Sequence, residues 1–402
     1  MKNILFVYDR MMTGGTTTAL LSLLSAIDYN EYSVDLLLYK NEGPFINDIP
    51  DEVNLLPEAY SPILGEVVPV KMQKLLISML NGKLFSAMKA FFKYRGTQKG
   101  SLSMILYHYF AEATVTLSCK LTKKYDAVIS FIEGWSTHYA MSDKVDAKYR
   151  ACVIHPDYIN SYLVPEADKK VFGIADNILT VAKNCKENMC SVFPEYCDKV
   201  EVLKNICSAK FMKARAKSGQ EVLEKHSLDM CTVCRCDMHV KGLDRMISAL
   251  SRLKAEGLLG EVHWHLIGGG DDFDTVAKLV TENGLSDNVT MYGNMDNPLT
   301  LLSQADLFVL SSRYEGMPVS VGEAQALGIP CFVTAYASAP EQITDGVSGK
   351  ICENSDEGIY QGLKDIIKNP ACLQEFKAEL MKKTYDNSEE IQKLYSLWNE
   401  KI

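Results

Sequence analysis

Short apolar, β-rich runs alternate with amphipathic helical stretches of about 10 to 15 residues, and the alternation occurs twice along the chain. Strands are expected at residues 3–8, 33–39, 126–132, 150–155, 177–182 and 200–205, and again at 231–236, 262–268, 289–293, 306–312 and 331–336. Helices fall between them, at 16–27, in a long insert from about 63 to 122, and at 243–257, 273–284 and 297–305. Strands that alternate with helices pair in parallel, so the pattern predicts an α/β chain with two doubly wound, Rossmann-like domains facing a cleft. The length of 402 residues agrees with two cores better than with one. The polar stretch 208–227 reads as the linker region.

Charge and cysteine usage narrow the function classes. A net charge of -9 leaves no basic surplus for a nucleic-acid track, so nucleic acid is excluded as the main partner. The most apolar later window, 102–121, contains His108 and Glu112 and reads as a buried helix, not a membrane span. With no segment expected to span a membrane, the twelve cysteines are expected as thiols in a reducing cytoplasm. Cys231, Cys234 and Cys236 lack a second ligand pair nearby and read as strand residues, not a zinc site.

The chemistry concentrates at two places. In 315-EGMPVSVGEAQALGIP-330, Glu315 follows an expected buried strand, Pro318 suits the first turn of a helix, and Gly328 and Pro330 end that helix. Ligands of parallel sheets gather at such strand ends, and helix N-termini favour anions. In 235-RCDMHVKG-242, Arg235 and Lys241 lie at the end of the first strand of the second series, where two cations can neutralise a diphosphate. Gly14 and Gly15, between the first strand and its helix, leave backbone amides open to an anion. G-x-G-x-x-G is absent, which disfavours hydride transfer. Asp272 and Asp274 form a D-x-D, but directly after 268-GGG-270 and before a helix they read as N-terminal caps, not a metal chelate.

Taken together, Arg235, Lys241-Gly242, 266-LIGGG-270, Tyr292-Gly293, the E-x7-E pair Glu315 and Glu323 with Gly316 and Pro318, and 340-PEQITDGVSG-349 resemble the retaining nucleotide-sugar glycosyltransferases of family 4, of GT-B architecture. The likeness spans nearly the whole second half, and 154-IHPDY-158 extends it to the first. It implies an acceptor-binding domain over 1–207, carrying the insert, and a nucleotide-sugar domain over 208–387. The final helix, 388–402, would return to the first domain through the stripe Ile391, Leu394, Tyr395, Leu397 and Trp398.

The resemblance also implies roles. Glu323 would accept hydrogen bonds from the donor's ribose, Arg235 and Lys241 would hold the diphosphate, and Glu315 would lie against the donor sugar. Gly316 and Met317 would add backbone N–H donors, Tyr292 and Gly293 would flank the base, and Gly14 and Gly15 would close over the diphosphate. His155 would position the donor sugar. No metal and no cofactor beyond a UDP-type donor are implied. The acceptor would be a lipid-linked glycan, polysaccharide or protein of the bacterial surface. The sequence departs from the family at Cys234, where a glycine usually precedes the arginine, and in its long insert. A non-catalytic member of the same fold is the alternative; intact Glu315, Glu323, Arg235 and Lys241 count against it.

Residues 61–100 carry Lys71, Lys74, Lys83, Lys89, Lys93, Arg95 and Lys99 against the single acid Glu66, interleaved with large apolar residues. A basic amphipathic helix of this kind is expected to lie against an anionic membrane at the inner face of the plasma membrane, with Lys89, Lys93 and Arg95 as the patch.

Overall fold

A computed structural model of the chain describes residues 1–60, 70–97, 102–382 and 385–401. The chain separates into two compact units, one of Met1–Met12, Ala26–Lys204 and Glu389–Ile402, the other of Thr13–Ser25 and Asn205–Ser388.

The first unit is built on a seven-stranded sheet in the order β3-β2-β1-β4-β5-β6-β7. Its strands are β1 (Lys2–Tyr8), β2 (Tyr32–Leu38), β3 (Asn54–Leu55), β4 (Lys124–Ser130), β5 (Asp146–Ile154), β6 (Asn177–Thr180) and β7 (Val200–Val202). Every pairing is parallel. Burial on both faces explains why Ile4 to Val7 read as an unbroken apolar run: all four are fully buried. The C-terminal helix Glu390–Asn399 belongs to this unit. Its Tyr395 and Trp398 rings lie 4.6 and 5.2 Å from the ring of Tyr32, and the Tyr395 hydroxyl accepts the backbone N–H of Asp28 at 2.8 Å.

The second unit holds a six-stranded parallel sheet in the order β10-β9-β8-β11-β12-β13. Here β8 is Leu228–Val233, β9 Val262–Ile267, β10 Val289–Gly293, β11 Leu307–Leu310, β12 Cys331–Thr334 and β13 Gly349–Cys352. Trp264, Leu266, Leu307 and Val309 face one apolar layer, while Cys231, Ile267, Phe308 and Leu310 face another on the opposite side. Both sheets are therefore Rossmann-like, with a first strand at the centre and the order reversing beside it.

Several sequence expectations are corrected. β8 begins at Leu228 and ends at Val233, three residues earlier than expected, because the buried Asp229 interrupts the apolar pattern. The edge strand β3 is two residues long and β13 opens on a glycine, so neither gave a periodic signal. The stretch 208–227 is not a linker: helix Ala209–Ser218, capped by Ser208 through Phe211 N–H, buries Ala209 and Met212. The glycine pair at 14 and 15 also falls in the second unit, since a side chain on Gly15 would meet Val319 Cβ at 3.2 Å. The window 102–121 breaks into helices Leu102–Tyr109 and Ala111–Thr116, which bury Ile105, Tyr109, Ala111, Ala113 and Val115 but leave Leu102 and Tyr107 exposed. The cysteines are not all thiols, because Cys190 and Cys197 are joined by a disulfide. Of the insert, Glu66 and Lys99 lie outside the described residues, as does the side chain of Lys71.

Candidate functional site

At the carboxyl end of β8 the chain turns through Cys234 and Arg235 into the single helical turn Met238–Lys241. Asp237 caps that turn, its carboxylate accepting Val240 N–H at 3.0 Å. Gly242 then takes a left-handed conformation (φ 61°), and any Cβ there would lie 2.3 Å from Ser311 O. This close approach brings Lys241 to the loop that follows β11. Lys241 Nζ donates to Glu315 Oε1 at 2.6 Å, and Ser312 Oγ donates to the same oxygen at 2.5 Å. The pair is largely desolvated, with side-chain exposures of 19% and 9%. Burial alone would lower the Lys241 pKa, but the Glu315 carboxylate overrides it and the net shift is upward, so the ammonium stays charged.

Arg235 differs from Lys241. Its side chain is 66% exposed and its guanidinium bonds Asp237 at 3.0 Å. The two cations sense one another, since the Arg235 charge opposes the upward shift at Lys241. A buried, preoriented ammonium beside an exposed, extendable guanidinium suits an anion that enters from solvent.

Helix Val319–Ala326 starts after Pro318, which occupies the N-cap position and not the first turn. It buries Glu323 to 5% exposure. Burial pushes that carboxyl up to about 7, against the downward pull of a hydrogen bond from Thr18 and of the Arg215 charge. Met317, just before the helix, is buried, and its carbonyl accepts from Asn205 Nδ2 at 3.2 Å. The 268–270 glycines meet the 234–236 turn so closely that a Cβ on Gly268 (φ 135°) would lie 1.9 Å from Cys234 O. Gly268 N–H also donates to Gly293 O at 2.8 Å. The Tyr292 hydroxyl is tied to His265 Nδ1 at 3.0 Å.

Residues 216–389 match the family described as glycosyl transferases, group 1. The second half of this chain carries a glycosyl transferases group 1 domain. Curated relatives of that domain include the N-acetyl-alpha-D-glucosaminyl L-malate synthase of Bacillus anthracis, 32% identical over 29% of this chain and 30% of its own length. The poly(glycerol-phosphate) alpha-glucosyltransferase of Bacillus subtilis is 28% identical over 36% of this chain and 21% of its own length. The matches thus span about a fifth to a third of these relatives. Among solved structures, Anabaena HepE in complex with UDP and glucose superposes with a TM-score of 0.67 at 14% identity, covering 100% of both chains. The S. aureus TarM structure with UDP gives 0.66 at 13% identity, over 99% of this chain and 100% of that one. These likenesses show the fold, which is GT-B.

Within the group 1 domain the structure brings Lys241, Glu315 and Arg235 to one strand-end region. Glu323 and the Gly14-Gly15 turn meet at a second point, through Thr18, whose hydroxyl also donates to Gly14 O at 3.3 Å. Thr18 and Ser312 were missed because a single hydroxyl carries no spacing signal; Thr18 stood in the 13-TGGTTT-18 run and Ser312 in 306-DLFVLSS-312. Buried Tyr336 was also missed; desolvation, then the Glu315 charge, hold its hydroxyl well above the usual range. The reading of Asp272 as a cap on its own helix is corrected, since that carboxylate accepts Met238 N–H at 2.8 Å and braces the 238–241 turn instead.

In the first unit, His155 follows β5, with Nε2 3.0 Å from Phe131 O and its ring edge-on to Phe131. Asp157 is occupied by Ile159 N–H, Asn160 Nδ2 and Asn188 Nδ2 and ties its loop to helix Lys183–Val192. Glu133, not singled out in the sequence, is pushed up to about 7 by desolvation while accepting backbone N–H groups, including that of His155. In the insert, helices Val70–Leu80 and Lys83–Tyr94 meet at Gly82 (φ 67°), and their segments Gln73–Leu80 and Lys83–Tyr94 bend by 91°. They expose Leu75, Leu76, Met79, Leu80, Phe85 and Phe92. Lys93 is not a free cation of this patch, because its ammonium is paired with Glu166; Lys89 and Arg95 are exposed. No single helix among the described residues is long and apolar enough to cross a membrane.

Proposed function

We propose that the chain is a retaining glycosyltransferase that moves a sugar from a UDP-type donor to a lipid-linked, polysaccharide or protein acceptor of a bacterial surface glycan, without a metal ion. The observation that carries this reading is the desolvated Lys241–Glu315 pair at the strand ends of a group 1 domain. A lysine whose charge is fixed there stabilises a departing diphosphate, the work a divalent cation does elsewhere. Arg235 reaches the same phosphates from solvent, and Gly14, Gly15, Gly316 and Met317 contribute backbone N–H groups. Glu323 accepts from the ribose hydroxyls, and Tyr292 with Gly293 flank the base. Glu315 lies against the sugar as its positioning anion, with His155 contacting the sugar hydroxyls. Support from relatives is of the same kind: the B. subtilis protein is named as acting on poly(glycerol-phosphate), and HepE was solved with UDP and glucose.

The insert extends the reading to the membrane. Six exposed apolar side chains on two bent helices, flanked by Lys89 and Arg95, suit the headgroup region of an anionic bilayer at its cytoplasmic face. A panel of nucleotide sugars, assayed for binding and slow hydrolysis, tests the central reading. One UDP-sugar that binds and turns over is the expected result; binding without turnover for any donor or acceptor would favour the non-catalytic alternative. Flotation with anionic vesicles tests the membrane part, with salt-sensitive binding expected.

A further inference from the structure

Toward the amino-terminal edge of the second sheet, the period of two along its strands sets Asp229 of β8 and His263 and His265 of β9 on one face. The register pairs Asp229 with His263 and Cys231 with His265, while Trp264 between the histidines turns to the other layer. His226, in the loop entering β8, folds over them: its ring stacks on His263 at 4.2 Å, and its Nδ1 meets Asp229 Oδ1 at 2.8 Å. His265 Nε2 meets the same oxygen at 3.1 Å. Asp229 is fully buried and His265 is 1% exposed, an arrangement that costs desolvation free energy and that the donor site at the opposite strand ends does not require.

We propose that His226, Asp229 and His265 bind one transition-metal dication of the zinc class. Their ligand atoms, two imidazole nitrogens and one carboxylate oxygen, all lie within 4.8 Å of one another. Tetrahedral zinc at about 2.0 to 2.1 Å from each ligand sets them about 3.3 Å apart, so the trio need move only by tenths of an ångström to over an ångström. The donor set is borderline and suits zinc, cobalt or nickel better than magnesium or calcium. With Nε2 turned to the ion, His265 would carry its proton on Nδ1 and donate it to the Tyr292 hydroxyl, 3.0 Å away. That bond fixes the ring of a metal-ligating histidine from outside.

Two further observations point into the same place. His226 and His263 line a cavity of about 400 Å³ that also presents Glu261, Asp287 and Lys254. His263 is 7% exposed, its Nε2 bonds Thr290 Oγ1 at 2.8 Å, and its buried Nδ1 has no partner among the described residues. The ion would clamp the loop that enters β8 to β8 and β9.

The test uses the whole chain, stripped with chelator and titrated with zinc by calorimetry and with cobalt by visible absorption. One equivalent of zinc, a rise in unfolding temperature on binding, and the d–d bands of tetrahedral cobalt are expected. His226→Ala and His265→Gln should each weaken zinc at least tenfold and bleach the cobalt bands. His226 is partly exposed, so its variant is the one that keeps the fold, as circular dichroism would verify. No saturable zinc binding at micromolar concentration, no change in unfolding temperature, or an unchanged zinc affinity in His226→Ala would overturn the proposal.

Discussion

The two sheets share the order of a Rossmann-like fold yet differ at their carboxyl edges. Beyond β8 and β11 the second unit assembles a desolvated ion pair, an exposed arginine and a buried carboxyl poised near neutrality. Beyond β5 the first unit holds a carboxylate bound to its own surroundings: Asp157 accepts from Ile159 and Asn160 of its loop and from Asn188 of helix Lys183–Val192. The same strand-end position therefore carries a charged pair in one unit and a self-braced carboxylate in the other, which is why fold alone does not specify function.

The largest expected effect separates the units by stability. Trp398 is fully buried in the first unit, so Trp398→Ala should cost about 3 to 5 kcal/mol there. Differential scanning calorimetry with UDP present should show the first unit's transition falling while the ligand-stabilised one holds. A shift of both together would show that the units do not melt independently.

The next effect separates them by chemistry. Lys241→Ala and Glu315→Ala should each lower sugar transfer by about 10²- to 10³-fold, as expected for loss of preorganised electrostatics. Glu315→Ala should leave UDP affinity largely intact. An Asp157→Ala protein should instead lose about 1 to 3 kcal/mol of stability from its unpaired donors, with UDP affinity unchanged. Comparable losses of transfer from both edges, after correcting for folded fraction, would erase the contrast.

A smaller effect concerns Glu323. Its raised pKa means that the folded protein holds a proton there which ribose binding must displace, because hydroxyl donors favour the ionised carboxylate. Nucleotide affinity should therefore fall as pH drops below about 7, by up to tenfold per unit. Glu323→Gln should flatten that profile, and Glu323→Ala should weaken nucleotide by about 1 to 3 kcal/mol. A pH-independent affinity in the parent protein would remove Glu323 from the ribose site. The smallest effect is expected for Arg235→Ala, whose exposed side chain should contribute up to about 1 kcal/mol to UDP binding, and less as salt is raised.

How much of this was legible in the sequence follows from which forces write periodic patterns. The central strands were readable because burial on both faces makes them continuous apolar runs, as in residues 4–7 and 307–310. The start of β8 was not, because a buried aspartate, bonded to His226 of the preceding loop and to His265 of β9, breaks the apolar run there. Glu315, Glu323, Arg235 and Lys241 could be named from their spacing and from the family they resemble. The Lys241–Glu315 contact could not, since it depends on the glycine turn at 242 passing Ser311 at close range. Thr18 and Ser312 act through single hydroxyls at long or loop-dependent range, which no window of sequence reports. The Lys93 pairing with Glu166 was hidden for the same reason: its partner lies 73 residues away.

The central claim is that the carboxyl edge of the second sheet holds a nucleoside diphosphate by protein charge alone. Calorimetric titration of UDP in excess chelator tests it most directly. The account predicts saturable binding that Lys241→Ala weakens at least tenfold and that His155→Ala leaves unchanged, since UDP carries no sugar for His155 to meet. Absence of binding in chelator, restored by manganese or magnesium, would contradict the account and move the diphosphate to Asp272 and Asp274.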